Sequence, residues 1–134
     1  MHPVALICTA VLGALVFGLG FAISGTRFAR RRLSGHPDDP RDLLHRLVRA
    51  HGNATEYAPF LAVLFLYFGA QDPDRLTVAL IVGATVARVL HAAGLIAWPG
   101  MDRPNPLRFL GAIGTYLCGA ALSVILLFRT QGAG

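Results

Sequence analysis

Arg49-Ala50-His51-Gly52-Asn53-Ala54-Thr55-Glu56-Tyr57 sets cations, an amide and a carboxylate side by side and then runs straight into the apolar stretch 58–70. At about 100° per residue of helix, Arg49, Asn53 and Glu56 fall within an arc of about 60°. They form one polar stripe. The apolar part is only 13 residues long, whereas a hydrocarbon core requires about 20. A helix crossing a membrane here must therefore carry Asn53 and Glu56 into it and bring Arg49 to the interface. Ionisable groups at that depth are costly and mark functional positions, so the stripe is the reference for the rest of the chain.

Of the 134 residues, 54% are hydrophobic and only 14% charged, with a mean hydropathy of +0.57. That composition belongs to an integral membrane protein forming one helical unit rather than two domains. The net charge of +5 comes from arginine alone, since the chain has no lysine. It does not point to nucleic acid. Seven of the twelve arginines lie between residues 27 and 49, in one segment between hydrophobic stretches, and such clustering reports topology. Cys8 and Cys118 sit inside apolar stretches and read as small hydrophobes, with no disulfide or metal motif around them.

The hydropathy pattern predicts an all-α, integral membrane four-helix bundle, with helices at about 3–25, 40–70, 75–98 and 106–129. Residues 3–24 carry no charge and lack both a basic leader and a cleavage site, so they read as a retained span. Ala10, Ala14, Gly18 and Ala22 recur every fourth residue and predict a helix-packing face. Gly35 to Pro40 form a turn cluster, and an Asp-rich start places the second helix near Pro40. Pro99-Gly100 closes the third span, and Gly111, Thr115 and Gly119 give the fourth a small-residue face. Arginine excess puts the first and third connections in the cytoplasm and both termini on the non-cytoplasmic side.

The third span is interrupted by Arg88 and His91, three residues apart on one face. Glu56 is the only glutamate, and no acidic residue lies within another span, so an Arg88–Glu56 ion pair is expected. Arg49, Asn53, Glu56, Arg88, His91 and Arg108 then gather on one cleft facing the cytoplasm. Three buried arginines against one carboxylate leave surplus positive charge, which calls for an anionic ligand. A small zwitterionic peptide suits it, its carboxylates on the arginines and its amine on Glu56. His51 and His91 lack a third metal ligand, so no metal is expected. No phosphate loop, GxSxG, HExxH or CxxC motif occurs.

The stretch 49–57 with Pro59, Ala87-Arg88-Val89-Leu90-His91 and Pro104-Asn105-Pro106-Leu107-Arg108 together resemble the MAPEG family, the membrane-associated proteins in eicosanoid and glutathione metabolism. The match is closest to its small bacterial members and extends over all four helices. The resemblance implies a homotrimer in a bacterial inner membrane, surrounded by lipid. It also implies glutathione as co-substrate, bound by Arg49, Asn53, Glu56, Tyr57, Arg88 and His91. Arg108 corresponds to the catalytic arginine that stabilises the glutathione thiolate. The chain departs from the family at Gly52, where prostaglandin E synthases have an arginine, and at Leu95, where several relatives have a tyrosine. The interval from Arg88 to Arg108 is also longer than in those enzymes. The implied function is a glutathione-dependent transferase or peroxidase acting on lipophilic electrophiles, with glutathione or another small thiol as donor. The alternative is a non-catalytic binding or structural protein on the same scaffold. A small drug exporter fits worse, because exporters of this size need a carboxylate on the transport path, usually in the first span, which is uncharged here.

Overall fold

A computed structural model describes residues 1–98 and 100–131. The chain folds as four helices, α1 (Pro3–Arg30), α2 (Leu43–Ala70), α3 (Arg75–Ala97) and α4 (Pro106–Gln131). No strand occurs among the described residues. Pro99 and the Gly-rich tail 132–134 lie outside them.

Each helix begins where local chemistry can satisfy its free N–H groups. Pro3 opens α1, at a position where a missing N–H is harmless. Asp42 starts α2 by accepting the His45 N–H at 2.8 Å, and Asp74 starts α3 by accepting that of Thr77 at 2.7 Å. The second helix therefore starts at Leu43, three residues later than expected, because Asp42 is the cap and residues 37–41 are spent in the turn. The first helix runs on to Arg30. It closes through Arg31 in the left-handed region (φ 49°), with the Arg32 N–H returning to the Arg27 carbonyl at 3.1 Å.

Short connections make successive helices antiparallel, and contacts at their ends confirm it. The His2 N–H donates to the Gly69 carbonyl at 2.7 Å, tying the start of α1 to the end of α2. Arg46, near the start of α2, donates from Nη1 to the carbonyls of Ile96 (2.8 Å) and Trp98 (2.6 Å) at the end of α3. The most extensive packing joins α3 to α4 and α1 to α2, whereas α2 barely touches α4.

Two apolar clusters fill the interior. One joins Ala5, Cys8 and Leu12 to Leu61, Phe65, Phe68, Ile81 and Leu122; the other joins Leu19 and Ile23 to Leu44, Leu47, Ala50, Ala54, Ala92 and Leu95. Outside, large apolar side chains face away from the bundle. Phe21 is 81% exposed, whereas Phe65 is fully buried. A bundle apolar on both its inner and outer surfaces needs lipid around it. By length and apolarity α1, α3 and α4 can each cross a membrane. The 28 residues of α2 are long enough too, but its first half holds Arg46, Arg49, His51, Asn53 and Glu56.

The small-residue stripe on α1 is not packed within this bundle. Ala10, Ala14, Gly18 and Ala22 are exposed, and α1 packs instead through Ala5, Cys8, Leu12, Leu19 and Ile23. The larger side chains win that face because they fill the space beside Phe65 and Leu47, which alanine cannot. On α4 the expectation holds. Gly111 and Thr115 are buried, and a methyl group added at Gly111 would meet the Ala87 carbonyl of α3 at 2.6 Å.

Asp42 also receives Arg32 Nη1 at 3.3 Å and lies 4.0 Å from Arg30 Nη1. The His45 N–H, followed by the two arginines, holds its carboxyl below the usual carboxylate range. A depressed folded-state pKa means that its stabilisation is complete above the unfolded value near pH 4 and is lost as pH falls through the folded value. Asp42→Ala should lower stability by about 1 kcal/mol, read by thermal unfolding in detergent at neutral pH. Asp42→Asn keeps the cap but loses the charge, so it should show a weaker acid dependence below about pH 4. An acid profile identical to wild type would sink this account.

Candidate functional site

Between the two apolar clusters, at the level of Ala54–Ala58 on α2 and Ala84–Ala92 on α3, lies a polar layer. At its centre is Arg88, only 1% exposed and the largest fully buried side chain. Its Nη2 donates to Asn53 Oδ1 at 2.6 Å and reaches the Asn53 backbone carbonyl at 3.4 Å. The guanidinium stands 5.0 Å from the centre of the Tyr57 ring, a cation–π contact. Tyr57 in turn meets the Tyr116 ring of α4 at 5.8 Å.

The expected Arg88–Glu56 ion pair is absent. Glu56 is exposed, and its Oε2 accepts from Asn53 Nδ2 at 3.4 Å. One turn of helix explains the difference. Asn53 and Tyr57, at i and i+4, lie over α3, whereas Glu56 sits to one side, exposed, and reaches only the Asn53 amide. The expectation of three buried arginines is corrected as well, because Arg49 is exposed, Arg108 half-buried and only Arg88 enclosed. An arginine buried against an amide and a ring still makes charge-assisted hydrogen bonds, and Glu56 is linked to it only through the Asn53 side chain. Its Nε has no hydrogen-bond partner.

Arg49, Asn53, His91 and Arg108 do come together. With Leu95 and Met101 they line one cleft of about 420 Å³ at the end of the bundle where α2 starts and α3 ends. A second, more apolar cleft of about 540 Å³ adjoins it, lined by His91, Pro104, Asn105, Pro106, Arg108, Phe109 and Ala112. His91 and Arg108 belong to both. Arg88 stands behind the first cleft, joined to it through Asn53, and Glu56 is not on its wall. Tyr57 lines a different groove, between α2 and α4, with Tyr116, Phe60 and Leu64.

His91 Nδ1 lies 2.9 Å from the Arg108 backbone carbonyl. A carbonyl can only accept, so Nδ1 carries the proton and the neutral ring has its lone pair on Nε2. Arg108 sits in the first turn of α4 and donates from Nη1 to the Met101 carbonyl at 3.3 Å. That bond uses one of its five N–H donors and no counter-charge. The two arginines on the cleft wall face no carboxylate there. The arrangement can hold a small anion, oriented by Asn53 and His91. Among the described residues no cluster of His, Cys, Asp or Glu could hold a metal ion.

Residues 5–128 match the family model of the MAPEG family. The chain belongs to the MAPEG family. This MAPEG protein is thus an integral membrane protein of the glutathione and eicosanoid metabolism family. None of the curated proteins matches the chain. Three residues of the site region carry roles that the sequence alone did not assign, although Asn105 stands in the Pro104–Arg108 stretch quoted above. Arg46 anchors the end of α3, Asn105 joins α3 to α4, and Tyr116 backs Tyr57. Asn105 had a visible signal in its place between two prolines just before a helix; an arginine capping a helix 50 residues away has none.

If Asn53 rather than Glu56 is the partner of Arg88, Asn53→Ala should cost about 2–3 kcal/mol, the value of a buried hydrogen bond to a charged group. Glu56→Gln should leave stability within about 0.5 kcal/mol of wild type, as expected for an exposed substitution. Thermal unfolding of the two variants decides, and equal losses would restore the ion pair.

Proposed function

We propose that this MAPEG protein is a glutathione-dependent transferase or peroxidase acting on lipophilic electrophiles dissolved in the membrane. The observation that carries the reading is the cleft on which α2 and α4 each place an arginine, Arg49 and Arg108, beside Asn53 and His91 with no carboxylate on the wall. Glutathione brings two carboxylates and a thiol. One arginine can hold a carboxylate through its fork while the other stands by the sulfur. Glu56, exposed one turn beyond Asn53, is near enough in sequence to take the amine at the rim, and Arg88 acts from behind by fixing Asn53.

Arg108 is the catalytic residue of this proposal. A cation beside the sulfur favours the thiolate, so the thiol gives its proton to water at a lower pH than free glutathione does. In transfer, the thiolate forms a sulfur–carbon bond as the electrophile's leaving bond breaks. In peroxide reduction it attacks one peroxide oxygen. An alcohol and a sulfenic acid result, and a second glutathione converts the sulfenic acid to disulfide and water. The adjoining apolar cleft, which shares His91 and Arg108, supports entry of the electrophile from the lipid side. Homotrimeric assembly, a cytoplasm-facing cleft and an inner-membrane location belong to the same proposal. The unpacked small-residue stripe of α1 supports contact between copies.

The test is calorimetric titration of glutathione into detergent-purified protein. Binding should appear in wild type and weaken about tenfold or more in Arg49→Ala, the loss expected for a charge-assisted hydrogen bond. Arg108→Ala should abolish conjugation of a model electrophile while the protein stays folded. A folded wild type that binds no glutathione would turn the reading toward the non-catalytic alternative, for which the buried Arg88 layer is a packing device.

A further inference from the structure

Arg108 does not hold its own position. Its backbone N–H donates to Asn105 Oδ1 at 3.2 Å, and its backbone carbonyl accepts from His91 Nδ1 at 2.9 Å. Both polar groups of one residue are thus gripped by side chains. Asn105 is itself fixed, being 7% exposed, with Nδ2 donating to the Gly94 carbonyl at 2.6 Å. The backbones meet closely here, because a methyl group added at Gly94 would lie 2.7 Å from the Arg108 nitrogen and 3.2 Å from its Cα. Pro104 and Pro106 flank Asn105, so the chain on either side has restricted φ angles.

A helix cap needs only the bond from Oδ1 to the Arg108 N–H. The second bond, to Gly94, ties that cap to the last turns of α3, three residues beyond His91. Asparagine supplies the acceptor and the donor at once, which serine and aspartate cannot do at this reach. We propose that Asn105 is a positioning residue, which fixes the first turn of α4 against α3 so that the Arg108 guanidinium stands at the junction of the two clefts. This rests on the role given to Arg108 above, and goes beyond it by assigning the residue through which that role depends on α3. Asn105 lines the apolar cleft, but its amide is already committed to Gly94 and Arg108.

The experiment reads the thiol directly and needs no electrophile. Glutathione is bound to the purified protein, and the ultraviolet thiolate band is titrated against pH in wild type and variants. Asn105→Ser is the decisive change, since serine still caps α4 but is too short to reach Gly94. Asp74→Ala removes a cap at the opposite end of the bundle and controls for general loosening. Arg108→Ala gives the limit without the cation.

The midpoint of the thiolate band should rise by about one pH unit in Asn105→Ser, part of the shift an adjacent cation produces. It should stay at the wild-type value in Asp74→Ala. The double variant Asn105→Ser/Arg108→Ala should match Arg108→Ala, because a residue acting through Arg108 has nothing to add once it is gone. An unmoved midpoint in Asn105→Ser overturns the inference, as does an equal rise in Asp74→Ala or a further rise in the double variant. A wild type with bound glutathione but no thiolate at neutral pH would instead remove the role of Arg108, and the inference with it.

Discussion

The arrangement of this bundle follows from one requirement, that the Arg88 guanidinium must be enclosed without a direct ion pair to a carboxylate. In a bilayer an isolated cation at that depth is expelled or solvated by defects. Here Asn53 Oδ1 meets it at 2.6 Å and the face of Tyr57 covers it at 5.0 Å. Both partners stand on one face of α2, one turn apart, so α2 and α3 have a single workable register. The apolar clusters on either side of this layer pack around that register. Asn53 joins this layer to the cleft, since the side chain that accepts from Arg88 also stands on the cleft wall.

The four helices were legible in the sequence because apolar length and turn chemistry act locally. The uncharged run 3–24, the Asp-Pro turns and the proline pair before α4 each announce themselves without knowledge of the rest. The membership of the cleft was partly legible, since Arg49, Asn53, His91 and Arg108 do meet. What failed was the choice between neighbours. Glu56 was assigned to Arg88 on charge alone, but helical phase gives Asn53 and Tyr57 to α3 and leaves Glu56 exposed. Composition ranks a carboxylate above an amide as the partner of a cation, whereas geometry decides which side chain arrives.

The stripe on α1 teaches a similar lesson. Four small residues at helical spacing look like an interface, yet the chain packs α1 through Leu12, Leu19 and Ile23. Periodicity locates a face without saying what covers it. On α4 the same pattern is filled from within, because Gly111 is pressed against the α3 backbone beside His91. The two faces differ in their neighbours, which no window of a single helix contains.

The pairing of helices also divides the polar layer between two hairpins. The α1–α2 hairpin is closed at one end by His2 and Gly69 and at the other by Asp42 with Arg30 and Arg32. The α3–α4 hairpin is closed by Asn105, Gly94, His91 and Arg108. Arg88 belongs to the second hairpin and its acceptor to the first. In chain order Asn53 precedes Arg88, so the acceptor is synthesised before the cation it holds.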